Sequence, residues 1–325
     1  MPDKTQYSFQ IAVREDFELV DQCMRRQLHS DTSLISKIGK YIIQSGGKRL
    51  RPLLVLLTTK ACGYKGDQHI SLATIIEFLH TATLLHDDVV DKSDLRRGLS
   101  TANALWGNAA SVLVGDFLYS RTFQMMAKLK NFKLLDVLAD ATNVIAEGEV
   151  MQLMHIRDTN ISESQYMEII RCKTAMLFEA SAHTAAILSN ASLKTEQSLA
   201  SYGNYLGIAF QLIDDLLDYN GDSNDMGKNT GGDLAEGKLT LPLIYTATNA
   251  STEQQEIIRQ AIKKGGHDNI NYITKVVSSC GALEYTAQKA QSFATKAIEA
   301  LDHVPASKYR DAMEDLARFA IERTH

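Results

Sequence analysis

The stretch Glu77-Phe-Leu-His-Thr-Ala-Thr-Leu-Leu-His-Asp-Asp-Val-Val-Asp91 reads as an apolar helix that ends in three carboxylates. Asp87 and Asp91 are four positions apart, so on a helix they share one face, one turn apart, where like charges repel. Beside Leu84, Leu85, Val89 and Val90 they are also costly to desolvate. A hard divalent cation that prefers oxygen, such as Mg2+, relieves both costs, with Asp87, Asp88 and Asp91 as its ligands. A single Asp-Asp-x-x-Asp also fits a solvated helix end. The pattern returns, however, in Phe210-Gln-Leu-Ile-Asp-Asp-Leu-Leu-Asp218, where Asp214, Asp215 and Asp218 again close an apolar run. Two acidic clusters on apolar helices point to a helical bundle whose facing helices hold metal between them, with Asp214 and Asp218 as the second set of ligands.

The rest of the chain agrees with an all-α fold. Its 325 residues and 45% hydrophobic content support a sizeable core. Only four prolines occur, and Pro52, Pro242 and Pro305 each precede a helical pattern, the preferred place for proline. No internal repeat and no linker composition is visible, so the expectation is one domain over residues 1–325. A net charge of −5 gives no reason to expect nucleic acid. Met1 to Gln10 lacks the apolar core of a signal peptide, and no apolar run approaches the roughly 18 residues of a membrane span. Cys23, Cys62, Cys172 and Cys280 are far apart and lack metal-ligand spacing, which reads as free thiols in a reducing cytoplasm.

Periodicity predicts helices over Ile11–Leu28, Leu34–Gln44, Leu53–Ala61, Ile70–Asp91, Ala110–Leu129, Lys133–Ile156, Tyr166–Leu188 and Glu196–Tyr219, followed by a set of packing helices. Ser162-x-x-Gln165 reads as a capping box. Between the second and third helices lies Ser45-Gly-Gly-Lys-Arg-Leu-Arg-Pro52, a helix start that carries Lys48, Arg49 and Arg51. Such a junction is either a solvated basic loop or an anion site. His80 sits two turns before Asp87 and is either a core histidine or a group that points into the same cavity. Arg96 and Arg97 follow the first acidic cluster and are either an exposed pair or the cations that a metal site binding phosphate needs on the far side of the ligand. Lys173-Thr174 falls in mid-helix. Asn220–Gly237, with Lys228 and then Lys238, is long enough to be a lid.

With these motifs in hand, the sequence resembles the trans-polyprenyl diphosphate synthases, and within them the bacterial octaprenyl diphosphate synthases of quinone side-chain synthesis. The resemblance implies a single-domain helical bundle of the isoprenoid synthase type with a central cavity, in a cytoplasmic homodimer. It implies that Lys48, Arg51, His80 and Arg97 hold the diphosphate of isopentenyl diphosphate. Asp87, Asp91 and Asp214 would bind Mg2+, and Arg96, Lys173, Lys228 and Lys238 would hold an allylic diphosphate such as farnesyl diphosphate. Thr174 and Gln211 would lie along the reacting allylic carbons. Peripheral contact with a membrane for product release belongs to the same expectation.

Three other readings compete. A class I terpene cyclase shares the first motif, but its second normally carries Asn, Ser/Thr and Glu. A non-catalytic synthase subunit usually loses acidic residues. Glu77-x-x-His80 suggests a di-iron bundle, yet no second copy follows. In the family that the chain resembles, bulky aromatics four and five residues before the first aspartate shorten the product. Ala82 and Thr83 are small there, so the resemblance implies an open tunnel along the helix, with Phe123 and Met126 either its floor or ordinary core. An octaprenyl product is expected, with solanesyl or heptaprenyl as neighbours.

Overall fold

A computed structural model of the chain describes residues 7–220, 231–264 and 269–323, and most of these are helical. The strand content among the described residues is one two-residue ladder, Leu95–Arg96 against Leu99–Ser100, so the all-α expectation is met. The chain gathers into two compact units. One comprises Met1–Thr142, Leu177–Ser201 and Ala300–Leu316; the other comprises Asn143–Met176, Tyr202–Glu299 and Ala317–His325.

The first unit is built around the helix Gln68–Val90, against which Arg14–Gln27, Leu50–Ala61 and Asn108–Leu129 pack. Leu72, Ile75, Ile76, Phe78 and Leu79 of the central helix are buried. Each such side chain stabilises the fold by roughly 1.5–3 kcal/mol relative to exposure. Leu50–Ala61 is apolar on nearly every side, as an interior helix must be. It begins at Leu50, earlier than the expected Leu53, because Pro52 is tolerated in a first turn whose N–H groups have no intrahelical partner. The earlier start places Arg51 on the helix. The expected helix Ile11–Leu28 is interrupted at Val13, which leaves helical angles (φ −131°) and buries its side chain.

The second unit has its own core, in which Ile169, Ile170, Ile208, Leu212, Leu241, Leu243, Ile258 and Ile273 take part. Ser162 and Gln165 form the expected capping box at the start of Glu163–Ile170. The helix expected over Tyr166–Leu188 is not continuous. It runs as Glu163–Ile170, then a π-helical turn at Arg171–Ala175, then Met176–Leu188. A π turn inserts one residue into the helical ladder and is often found at functional sites. Gly148 lies directly against it: a Cβ there would stand 2.7 Å from the Lys173 nitrogen and 2.8 Å from the Cys172 Cβ. Within the expected loop Asn220–Gly237, the short helix Gly232–Glu236 is ordered on Asp218, whose carboxylate accepts the backbone N–H groups of Gly232 (3.0 Å) and Asp233 (3.1 Å). Lys228 lies outside the described residues.

Candidate functional site

In the first unit the basic junction, the central helix and the short hairpin meet around a cavity of about 80 Å3, lined among others by Arg49, Glu77, His80, Asp88, Arg96 and Arg97. The hairpin turns on Arg97 and Gly98, both with positive φ (55° and 74°), as a two-residue turn of the twisted ladder requires. Gly47 makes room for the Arg97 guanidinium, which a side chain at that position would strike, and Arg97 donates to the Gly46 carbonyl. Arg49, at positive φ before Leu50, is held by Asp21 and donates to the Ile43 carbonyl at 3.1 Å.

Arg51 stands behind His80. Its guanidinium lies 4.3 Å from the centre of the Phe178 ring, and its Nη1 is 3.2 Å from His80 Nε2. An arginine can only donate, so Nε2 is the acceptor nitrogen and the ring proton sits on Nδ1. Burial, followed by the charges of Arg51, Arg97 and Arg96, holds the His80 pKa well below the usual histidine range. The imidazole is therefore neutral at physiological pH. Glu77 is buried, with Oε1 3.9 Å from Arg49 Nε and Oε2 without a hydrogen-bond partner. Burial pushes its pKa up to about 7, against the pull of Arg49, Arg51 and Arg97. Cations outnumber carboxylates around this cavity, which suits a multiply charged anion. Lys48 is half-buried beside it and not among its lining residues.

Asp87 and Asp91 occupy the last turn of the central helix, both half-buried. The partial negative charge of that helix end adds to their repulsion and favours a cation. Asp88 points elsewhere. It is 4% exposed, and Arg96 grips one oxygen through Nε (2.8 Å) and Nη2 (2.7 Å). One of its oxygens thereby orients Arg96.

In the second unit a cavity of about 160 Å3 is lined by Gln152, Tyr166, Lys173, Thr174, Gln211, Asp215, Asp233 and Lys238, with several apolar residues. Lys173, on the π turn, donates to Glu149 (2.5 Å) and Gln152 (2.7 Å). Thr174 donates to Gln211 Oε1 at 2.9 Å, and Gln211 Nε2 donates to Asp215 Oδ1 at 2.7 Å. Tyr166 donates to the other oxygen of Asp215. Burial raises the Asp215 pKa, the bonds from Tyr166 and Gln211 oppose this, and the neighbouring Asp214 and Asp218 reinforce it. Asp214 is exposed and pairs at 2.5 Å with Arg323, whose guanidinium lies over the Phe210 ring. Lys238 pairs with Glu236 at 2.8 Å.

Among the described residues no three His, Cys, Asp or Glu groups gather closely enough to cage a metal ion by themselves. Of the product-length positions, Ala82 and Met126 are buried, and Thr83 is half-buried, donating to the His80 carbonyl at 2.8 Å. Phe123 is 49% exposed. Sequence reasoning assigned no role to Tyr166, Gln152 or Arg323, which reach the site from distant parts of the chain. For Gln152 a signal existed, since Glu149 and Gln152 are three apart and share a helix face.

Comparison with known proteins places this arrangement. The chain is 51% identical over 310 residues to the octaprenyl diphosphate synthase of Escherichia coli (strain K12), covering 95% of this chain and 96% of that one. It is 48% identical over 311 residues to the octaprenyl diphosphate synthase of Haemophilus influenzae, covering 95% and 94%. The fold matches the crystal structure of a polyprenyl synthase from Caulobacter crescentus in complex with calcium and isoprenyl diphosphate, with a TM-score of 0.95 and 40% identity over 100% of both chains. No helix among the described residues is long and apolar enough to cross a membrane. The polyprenyl synthetase family model matches residues 32–279, which include both acidic motifs and the basic junction, and the chain belongs to that family of prenyltransferases.

Proposed function

We propose that this chain condenses isopentenyl diphosphate units onto an allylic diphosphate such as farnesyl diphosphate, giving octaprenyl diphosphate for a quinone side chain. The observation that carries the reading is the presence of a polar cavity in each of the two units. One is rich in arginine around neutral His80; the other sets Lys173 and Lys238 beside Thr174 and Gln211. A terpene cyclase has use for only one diphosphate site. The octaprenyl length rests on the two octaprenyl diphosphate synthases that the chain resembles along nearly its whole length.

In this reading His80, Arg97, Arg51 and Lys48 hold the isopentenyl diphosphate, with Arg49 beside them. Lys173, Lys238, Lys228 and Arg96 hold the allylic diphosphate. Asp87, Asp88, Asp91, Asp214 and Asp218 are the carboxylates assigned to metal in this reading. The donor set fits Mg2+, which commonly takes one or two carboxylates together with waters and substrate phosphates and needs no all-protein cage. Bound Mg2+ supplies charge neutralisation for the diphosphate leaving group. The chain's own contribution is positioning: cations fix the two diphosphates, and acceptor oxygens of Thr174 and Gln211 face the carbon on which positive charge develops. The surrounding apolar residues keep water from that carbon.

We further propose that residues 1–325 act as one domain, since the matched family model includes parts of both compact units. We also propose a cytoplasmic location, which the four free cysteines support. A homodimer is supported by exposed apolar residues along Asn108–Leu129, including Val112, Leu113 and Phe123. The direct test is incubation of the full chain with farnesyl diphosphate, labelled isopentenyl diphosphate and Mg2+, with products sized by chromatography. Octaprenyl diphosphate is the expected product. A cyclised hydrocarbon, formed without consuming isopentenyl diphosphate, would overturn the reading.

A further inference from the structure

We infer that Tyr166 is a positioning residue for the condensation: acting through Asp215, it fixes the Gln211 amide and the Thr174 hydroxyl so that oxygen lone pairs, and no polar hydrogens, of Thr174 and Gln211 Oε1 face the cavity. The inference rests on the proposed function, which sets Thr174 and Gln211 beside the allylic carbons.

The argument follows the hydrogens. Tyr166 is 3% exposed and donates its phenol hydrogen to Asp215 Oδ2. Burial, and then the charge of Asp215, push the phenol pKa well above its usual range, so the hydrogen stays in place. Gln211 donates its NH2 to Asp215 Oδ1 (2.7 Å), which turns Oε1 toward Thr174. The threonine hydroxyl has one hydrogen, and it is spent on that Oε1 at 2.9 Å. What remains for the cavity are the lone pairs of Thr174 Oγ1 and the second lone pair of Gln211 Oε1. A carbon that becomes cationic meets negative ends of dipoles and no acidic hydrogen. With the amide reversed, its NH2 would face Thr174 and the threonine hydrogen would be released into the cavity. Tyr166, Thr174, Gln211 and Asp215 all line the same space. Asp215, for all its place in the second acidic motif, is on this account an orienting group whose two oxygens are already engaged.

The test compares the full-length wild type with Tyr166→Phe, Gln211→Ala and the double variant. The single-turnover rate of the first condensation, the KM for each diphosphate and the Tm are measured. Tyr166→Phe should lower the single-turnover rate about tenfold while both KM values stay within about threefold. The Tm should move by only about 3 °C. In the Gln211→Ala background the Tyr166→Phe change should cost nothing further, because its route of action is already gone. An unchanged single-turnover rate in Tyr166→Phe, or losses that simply multiply in the double variant, would overturn the inference. Should Tyr166→Phe fail to fold, Asp215→Asn puts the same question. Its side-chain NH2 turned to Gln211 reverses the amide and should lower the rate with the KM for isopentenyl diphosphate unchanged; a wild-type rate counts against the proposal. The wild-type reaction separates the two levels. If the wild type consumes no isopentenyl diphosphate, the proposed function fails. If it condenses normally and Tyr166→Phe does too, only the positioning role fails.

Discussion

At the scale of single residues, burial decides which of several similar carboxylates does what. Asp87 and Asp91 remain half-buried at a helix end, whereas Asp88, one residue on, is buried and paired with Arg96. Asp214 is exposed but holds Arg323, whose side chain is 4% exposed. Replacing it therefore has two consequences. Asp214→Asn keeps an acceptor for Arg323 and should lower kcat by about 100-fold or more with Tm nearly unchanged. Asp214→Ala should show the same kinetic loss together with about 1.5–3 kcal/mol of lost stability, read by denaturant titration. Glu77 yields a pH prediction. Its folded pKa of about 7 lies above the ordinary 4.5, so the folded state binds the extra proton between these values. The stability it contributes is complete below pH 4.5 and is lost as pH rises through about 7. Glu77→Gln removes this loss. It should be more stable than the wild type at pH 8 by on the order of 3 kcal/mol, with the difference shrinking toward pH 5. A gap independent of pH, measured by urea unfolding, would show that Glu77 does not titrate in this range.

At the scale of elements, the π turn Arg171–Ala175 is the feature that periodicity did not foresee. An inserted residue turns the downstream face by about 100°, but Met176–Leu188 is buried on nearly every side, so the hydrophobic repeat over Tyr166–Leu188 carries no mark of it. In three dimensions Gly148 brings another helix backbone against Lys173 and Cys172 of that turn. Gly148→Ala should cost about 1–3 kcal/mol through overpacking. Because the displaced turn carries Lys173, the KM for the allylic diphosphate should rise more than that for isopentenyl diphosphate; equal changes would detach the turn from the allylic site. The central helix carries the product-length prediction. One turn rises about 5.4 Å, close to an extended isoprene unit, so a long chain needs several turns of depth. Ala82 is buried and small. Ala82→Tyr should shorten the product to farnesyl or geranylgeranyl length while the first condensation continues. A folded variant that still makes the full-length chain would show that the product does not pass Ala82.

At the scale of the whole molecule, the two compact units each carry one polar cavity, and the family match includes residues of both. The exposed Val112, Leu113 and Phe123 are a poor surface for an isolated chain with a net charge of only −5. Sedimentation velocity should give a dimer, and Leu113→Arg should shift it toward monomer without loss of helical signal. Persistence of the dimer in that variant would move the interface elsewhere.

Local pattern determined the all-α class, the two acidic helix ends, the basic junction and the capping box at Ser162, because each is written within one or two turns of chain. From type and spacing these patterns suggested an anion site and a metal site; their reading as diphosphate and Mg2+ sites came from the family resemblance. Tertiary structure decided the pairings among distant residues: Tyr166 with Asp215, Arg51 with His80, Arg323 with Asp214. It also decided the protonation of His80 and Glu77, since desolvation depends on what covers a group and no neighbour in sequence states that. Asp88 and Asp215 show the difference most directly. In sequence they are equivalent to their neighbours in the motifs; in the fold, the opposite side of the helix buries them, and each becomes the support of another side chain.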